Sequence, residues 1–157
     1  MTPARHGIEY TMENTLDLEE FERLSGLDFT RYVVKMKDLH IDDDFLKYFA
    51  RRKNQWDDVH LELALWWLGQ SGSLAAHREI ANFIDHRSRS IRFLAVGFTV
   101  GMKHEVDAGI MSRVIEVLER NPDPADKEAL NSVLGKPASK EAQAIAQQYF
   151  AGQRSEQ

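Results

Sequence analysis

The chain has 157 residues, of which 43% are hydrophobic and 29% charged, with a net charge of −5 and a sequence pI near 5.7. This length suits one domain with a real core, and the acidic balance disfavours nucleic-acid binding while suiting a basic protein partner. With no cysteine there are no disulfides and no thiolate metal site, which fits a reducing compartment.

The N-terminal stretch MTPARHGIEYTMEN has no apolar run of signal-peptide length, and the longest apolar run, Leu63–Leu68, is far too short to cross a bilayer. A cytoplasmic protein without a membrane role is expected. Residues 1–14 read as a flexible N-terminal arm, 15–152 as a single α-helical repeat domain and 153–157 as a solvated tail.

In chain order, Asp17-Leu18-Glu19-Glu20 is a capping-box pattern, followed by Leu18, Phe21 and Leu24 at helical spacing and a stop at Ser25-Gly26. Residues 27–39 are ambiguous. Tyr32, Val34 and Met36 alternate like an edge strand, while Phe29, Tyr32, Val33, Met36 and Leu39 fit a helix. Helix is favoured because a lone strand has nothing to pair with.

Asp42, Asp43 and Asp44 place negative charge at a helix N-terminus, and Arg51, Arg52 and Lys53 place positive charge at its other end. Phe45, Leu46, Tyr48 and Phe49 form the apolar face between them. A second helix is predicted from Asp57 to Leu68, stopped by Gly69. The turn QSGS leads to a helix over Leu74–Ile84, and a turn at Asp85–Ser88 leads to another over Arg89–Val100, closed by Gly101. Further helices are predicted over His104–Glu119, from Asp123-Pro124 to Leu134-Gly135, and from Ser139 to a stop at Gly152.

Three stops recur. Leu68-Gly69, Val100-Gly101 and Leu134-Gly135 are 32 and 34 residues apart, each ending the second helix of a pair, with glycine expected to supply the left-handed closing conformation. A helix–turn–helix period of this size predicts a short solenoid with pairs at 43–69, 75–101 and 106–135, covered at its ends by residues 17–39 and 140–151.

The middle pair carries a resemblance. Asp85, then Ile91-Arg92, then Ala95 resembles the core signature of a HEAT repeat. The resemblance implies an all-α fold: a short right-handed HEAT-like α-solenoid of about three helix pairs with capping helices at both ends. It implies that Asp85 and Arg92 are structural, tying the turn to the neighbouring pair, and that Ile91, Ala95 and Phe98 are core. The first pair departs from the signature, with Val59-His60 in place of Ile91-Arg92 and Lys53 in place of the aspartate. The third departs further, with Ala125-Asp126 at those positions.

Motifs for chemistry are incomplete. His104-Glu105 begins a zinc-protease-like string, but Ala108 stands where the second histidine belongs, and His40, His60, His77 and His86 lack an i, i+4 partner. The six histidines read as surface or capping residues. Gly69-Gln70-Ser71-Gly72-Ser73 lacks both the last glycine and the preceding strand of a nucleophile elbow. There is no phosphate-binding loop and no dinucleotide fingerprint, so no cofactor or metal is expected.

The densest acidic region comprises Asp42, Asp43, Asp44, Asp57, Asp58 and Glu62. It reads first as helix capping and solvated surface, and more sharply as a docking face together with Trp66 and Trp67. Asp58, Glu62 and Trp66 share a stripe by i, i+4 spacing. The two tryptophans are about 100° apart on a helix, so they point in different directions. His86, Arg87, Arg89 and Arg92 form a small basic cluster, structural first and an anion site second. HEAT-like arrays are mostly binding surfaces, and some small bacterial ones are immunity proteins. The resemblance therefore implies a non-enzymatic protein-binding inhibitor or immunity protein that occludes a basic toxin or effector. A HEAT-like DNA glycosylase, motivated by the tryptophans with Asp57 and Asp58, and a scaffold or adaptor in a larger assembly are the alternatives.

Overall fold

The computed structural model describes residues 18–35, 43–120 and 122–155. The N-terminal arm, Asp17 of the capping box, residues 36–39, His40 and Asp42 lie outside the described residues. Among the described residues all regular structure is helical, with one isolated β-bridge. The contacts divide the chain into two compact units, Met1–Trp67 and Leu68–Gln157.

The first unit holds α1 (Leu18–Arg23), α2 (Gly26–Lys35), α3 (Asp43–Arg52) with a 3-10 turn at Lys53–Gln55, and most of α4 (Asp58–Ser71). The ambiguous stretch is helical over Gly26–Lys35, and Gly26, at φ 58°, opens this helix. Helix α3 forms as its charges dictate, with Asp43 and Asp44 in the first turn and Arg51 and Arg52 in the last, and it buries Phe45 and Phe49 one turn apart.

The core of this unit is aromatic. Phe21 meets Phe29, Trp56, His60 and Trp67 at ring-centroid distances of 5.2–5.9 Å. Phe45 meets Phe49 and Trp67, and Phe49 meets Trp56 edge-on. Such pairs add about 0.5–1.5 kcal/mol each beyond the area they bury.

One polar cluster closes the unit. Glu22 accepts from Arg52 Nε (2.8 Å) and Nη2 (2.9 Å) and from Trp56 Nε1 (2.9 Å). The Arg52 fork, outweighing burial and helped by Tyr48 and Trp56, lowers the Glu22 carboxyl to about 2. Burial, then hydrogen bonding with Glu22, pushes the Tyr48 phenol up to about 12.

The second unit holds α5 (Leu74–Ala81), α6 (Arg89–Gly101), α7 (Ala108–Glu119), α8 (Pro124–Leu134) and α9 (Lys140–Ser155). Short polar side chains start four of them. Ser73 Oγ accepts from the Ala76 amide, Asp107 from Ile110, Asp123 from Ala125 with Pro124 first in the helix, and Ser139 Oγ from Ala142. Helix α5 packs on α6, and α7 on α8; α7 also packs on α5 and on α9, and α8 on α6. Ile91 and Ala95 are fully buried. Two loops are joined by backbone: Val106 N donates to Pro137 O (2.9 Å) and Ser139 N to Val106 O (3.0 Å), forming the bridge Val106–Ala138.

Several expected boundaries move. Helix α4 runs on through Gly69 to Ser71, and α9 runs through Gly152 to Ser155. Among the described residues the left-handed glycines are Gly26 and Gly72 (φ 70°); Gly135 closes α8 at φ −94°. Gly69 serves close packing, because a Cβ there would collide with the Phe98 ring. Phe98, expected in the core, is half-buried against this glycine. Helix α5 ends at Ala81, and the turn Asn82–Asp85 follows it. Helix α7 starts at Ala108, because the preceding residues take the bridged conformation at Val106.

Candidate partner-binding surface

Helix α4 is apolar nearly all round, which calls for burial on several sides. One side is left open. Val59 is 60% exposed, and Leu63 and Trp66 are half-exposed. Their spacing, i, i+4, i+7, places them on one face. Asp58 and Glu62, both half-exposed, border this seam. Trp67, one position on, is 1% exposed and packs between Phe21 and Phe45. It is a core residue of this unit.

Asp57 has a local role. Its Oδ1 accepts from the His60 amide (2.8 Å) and lies 2.7 Å from His60 Nδ1. The other ring nitrogen, Nε2, is 2.9 Å from Leu24 O. Both ring nitrogens thus lie within hydrogen-bonding distance of oxygen atoms of the chain. Burial would raise the Asp57 carboxyl, but the His60 amide and ring together hold it below the ordinary carboxylate range. His60 is thus a buried link between α4 and the end of α1, not a surface residue. Of the constellation behind the enzymatic reading, Asp57 is engaged here and Trp67 is core; Trp66 and Asp58 remain at the surface. Asp43 and Asp44 are exposed on the first turn of α3.

In the second unit Asp85 and Arg92 each bond to residues of a later helix or its end. Asp85 accepts from Arg113 (2.5 Å) on α7 and from Arg120 (2.9 Å) just beyond it. Arg92 donates to Asp126 (3.0 Å) on α8 and to the carbonyls of His86 and Arg87. Arg92 is therefore taken from the basic cluster, and His86 is engaged by accepting at Nδ1 from the Ser88 amide. His77 is buried, and its Nδ1 has no hydrogen-bond partner. Burial, then the nearby positive charges of His104 and Lys136, lowers its pKa.

Among the described residues no group of three His, Asp or Glu side chains is placed to hold a metal ion, and no helix is long and apolar enough to cross a membrane. Sequence reasoning missed Val59 and Leu63. The signal was present, since both fall on the Trp66 face, but only burial distinguishes a seam from core. Comparison with protein-family models, with characterised proteins and with solved structures finds no match.

Proposed function

We propose that the chain is a cytoplasmic protein-binding helical module of the inhibitor or immunity kind, and that the open face of α4 docks on a basic protein. The observation that carries this reading is the seam Val59–Leu63–Trp66, left open to solvent and bordered by Asp58 and Glu62. Apolar anchors with a charged rim are the anatomy of a docking surface, with tryptophan the usual hot spot. The carboxylates would steer a cationic partner into register. Asp43 and Asp44 add to the same acidic field from α3.

The packing of α5 to α9, each pair resting on the next, supports a short right-handed HEAT-like solenoid with α9 covering one end. In that reading Asp85 and Arg92 hold successive pairs in register.

Size-exclusion chromatography with in-line mass measurement, on the chain mixed with the product of the adjacent gene, tests the function. A one-to-one complex is expected, weakened at least about tenfold by Trp66→Ala or Val59→Asp and dissociating more readily at high salt. A complex indifferent to both substitutions, or none at all, would sink the reading.

A further inference from the structure

One buried polar group takes no part in the docking surface. His77 lies on α5 among Ala76, Ile80 and Ala81, all buried. It is 4% exposed, and its Nδ1 has no hydrogen-bond partner. Such a ring is an awkward core side chain. The neutral form forgoes a hydrogen bond, and the charged form loses its hydration as well.

The ring sits where two connectors meet. From the connector between α6 and α7 comes His104, its ring centroid 6.3 Å away. His104 is itself anchored, with Nε2 2.6 Å from Gly72 O. From the connector between α8 and α9 comes Lys136, whose charge also reaches His77. These are the two connectors clipped together by backbone, through Val106 N to Pro137 O (2.9 Å) and Ser139 N to Val106 O (3.0 Å). Lys136 directly precedes Pro137, and His104 lies just upstream of Val106. His77 is thus packed beside the clip that holds the two connectors together.

The surrounding charges do not favour a cation at this point. On α5 itself, Arg78 is paired with Asp107 (2.6 Å), which also caps α7, and Glu79 is the next residue along. In the first connector, Lys103 and Glu105 flank His104, exposed and opposite in sign. On the helices packed against α5, Arg92 is paired with Asp126, Arg113 with Asp85, and Glu116 with Arg120. Arg89 and Glu119 stand at the ends of α6 and α7 remote from the connector that joins them. The charges that reach His77 are those of His104 and Lys136, both of which oppose its protonation.

We propose that His77 is a proton-operated latch: on mild acidification it takes a proton, and the clip between the two connectors opens while α5–α9 stay folded. The closed clip keeps the ring dry and neutral. The open clip admits water, in which the charged ring is stable, so a proton binds the open state better and shifts the equilibrium toward it. The closed state is fully favoured above the ordinary histidine value and is progressively lost below about 6.5. A ring that titrates near 6.5 when open also limits the effect: between pH 7 and pH 5 the opening constant rises at most about 25-fold. The latch rests on nothing in the α4 reading.

Amide hydrogen exchange of the isotopically labelled full chain, read by NMR at pH 7, 6 and 5, tests this, with each rate normalised to the free-chain rate at the same pH. Protection at Val106 and Ser139, the two donors of the clip, should fall at least about fivefold from pH 7 to pH 5. Both amides should stay at least about tenfold less protected than Val114 inside α7, which marks a local opening distinct from global unfolding. His77→Leu should abolish the fall, and Lys136→Gln, which removes one facing charge at a half-exposed position, should reduce it. If His77→Leu loses its native circular dichroism, Lys136→Gln decides the matter. No fall in the wild type, a fall that persists in His77→Leu or is unchanged in Lys136→Gln, or equal protection of the clip and α7 overturns the proposal.

Discussion

Replacing Glu22 by glutamine would keep the shape of the side chain and remove its charge. In the folded chain the carboxylate accepts from both edges of the Arg52 fork and from the Trp56 indole, and it titrates at about 2 instead of 4.5. That depression corresponds to at most about 3 kcal/mol. Glu22 is 24% exposed and its partner 37%, so solvent screening reduces the expected contribution to about 1–2 kcal/mol. Because the folded value is depressed, the contribution is complete above the unfolded value of 4.5 and disappears as the pH falls through about 2. All three tryptophans, Trp56, Trp66 and Trp67, lie in the first unit, so tryptophan fluorescence during urea unfolding reads that unit alone. Glu22→Gln should cost about 1–2 kcal/mol at pH 7, with the gap from wild type narrowing steadily between pH 4.5 and 2.5. A gap that stays constant over this range would refute the argument, because the loss would then owe nothing to the ionised carboxylate.

Two of the helical glycines, Gly69 and Gly97, should respond to alanine with opposite signs. Gly97→Ala is expected to stabilise the second unit by about 0.5–1 kcal/mol in thermal melts followed by circular dichroism, and Gly69→Ala to destabilise by about 1–3 kcal/mol through its collision with Phe98; equal effects would contradict the packing described. His77, 4% exposed with an unpartnered Nδ1, favours its neutral form when folded. Stability is therefore full above the ordinary histidine value and declines as pH drops below about 6.5. His77→Leu should raise the melting temperature at neutral pH and flatten its fall between pH 6.5 and 5, and an unchanged slope would count against this origin.

Features set by neighbours in sequence were legible. Asp123 with Pro124 marks the start of α8, Ser139 that of α9, and the charge pattern of residues 43–53 outlines α3. Features set by distant neighbours were not. Whether Gly69 ends a helix or admits an aromatic ring depends on Phe98, 29 residues on. The start of α7 depends on Val106 pairing with the loop at Ala138. Nothing local marks Glu22 as the partner of Arg52 and Trp56, which lie 30 and 34 residues away. For the candidate surface, the acidic positions and Trp66 were readable from spacing. The division of labour between Trp66 and Trp67, and the capture of Asp57 by His60, follow from which face of α4 the aromatic core covers.

The clip between the two loops bears on how such a chain can change length over time. Val106 exchanges backbone hydrogen bonds with Pro137 and Ser139, so the connector before α7 and the connector before α9 fix each other's length. One added residue in either would misplace those amides and carbonyls and leave buried polar groups without partners. A single-residue insertion or deletion at either connector is therefore expected to destabilise the second unit. The turn at Gly72 is constrained in another way: its glycine sits at φ 70°, a conformation that other residues rarely adopt, and its carbonyl lies 2.6 Å from His104 Nε2.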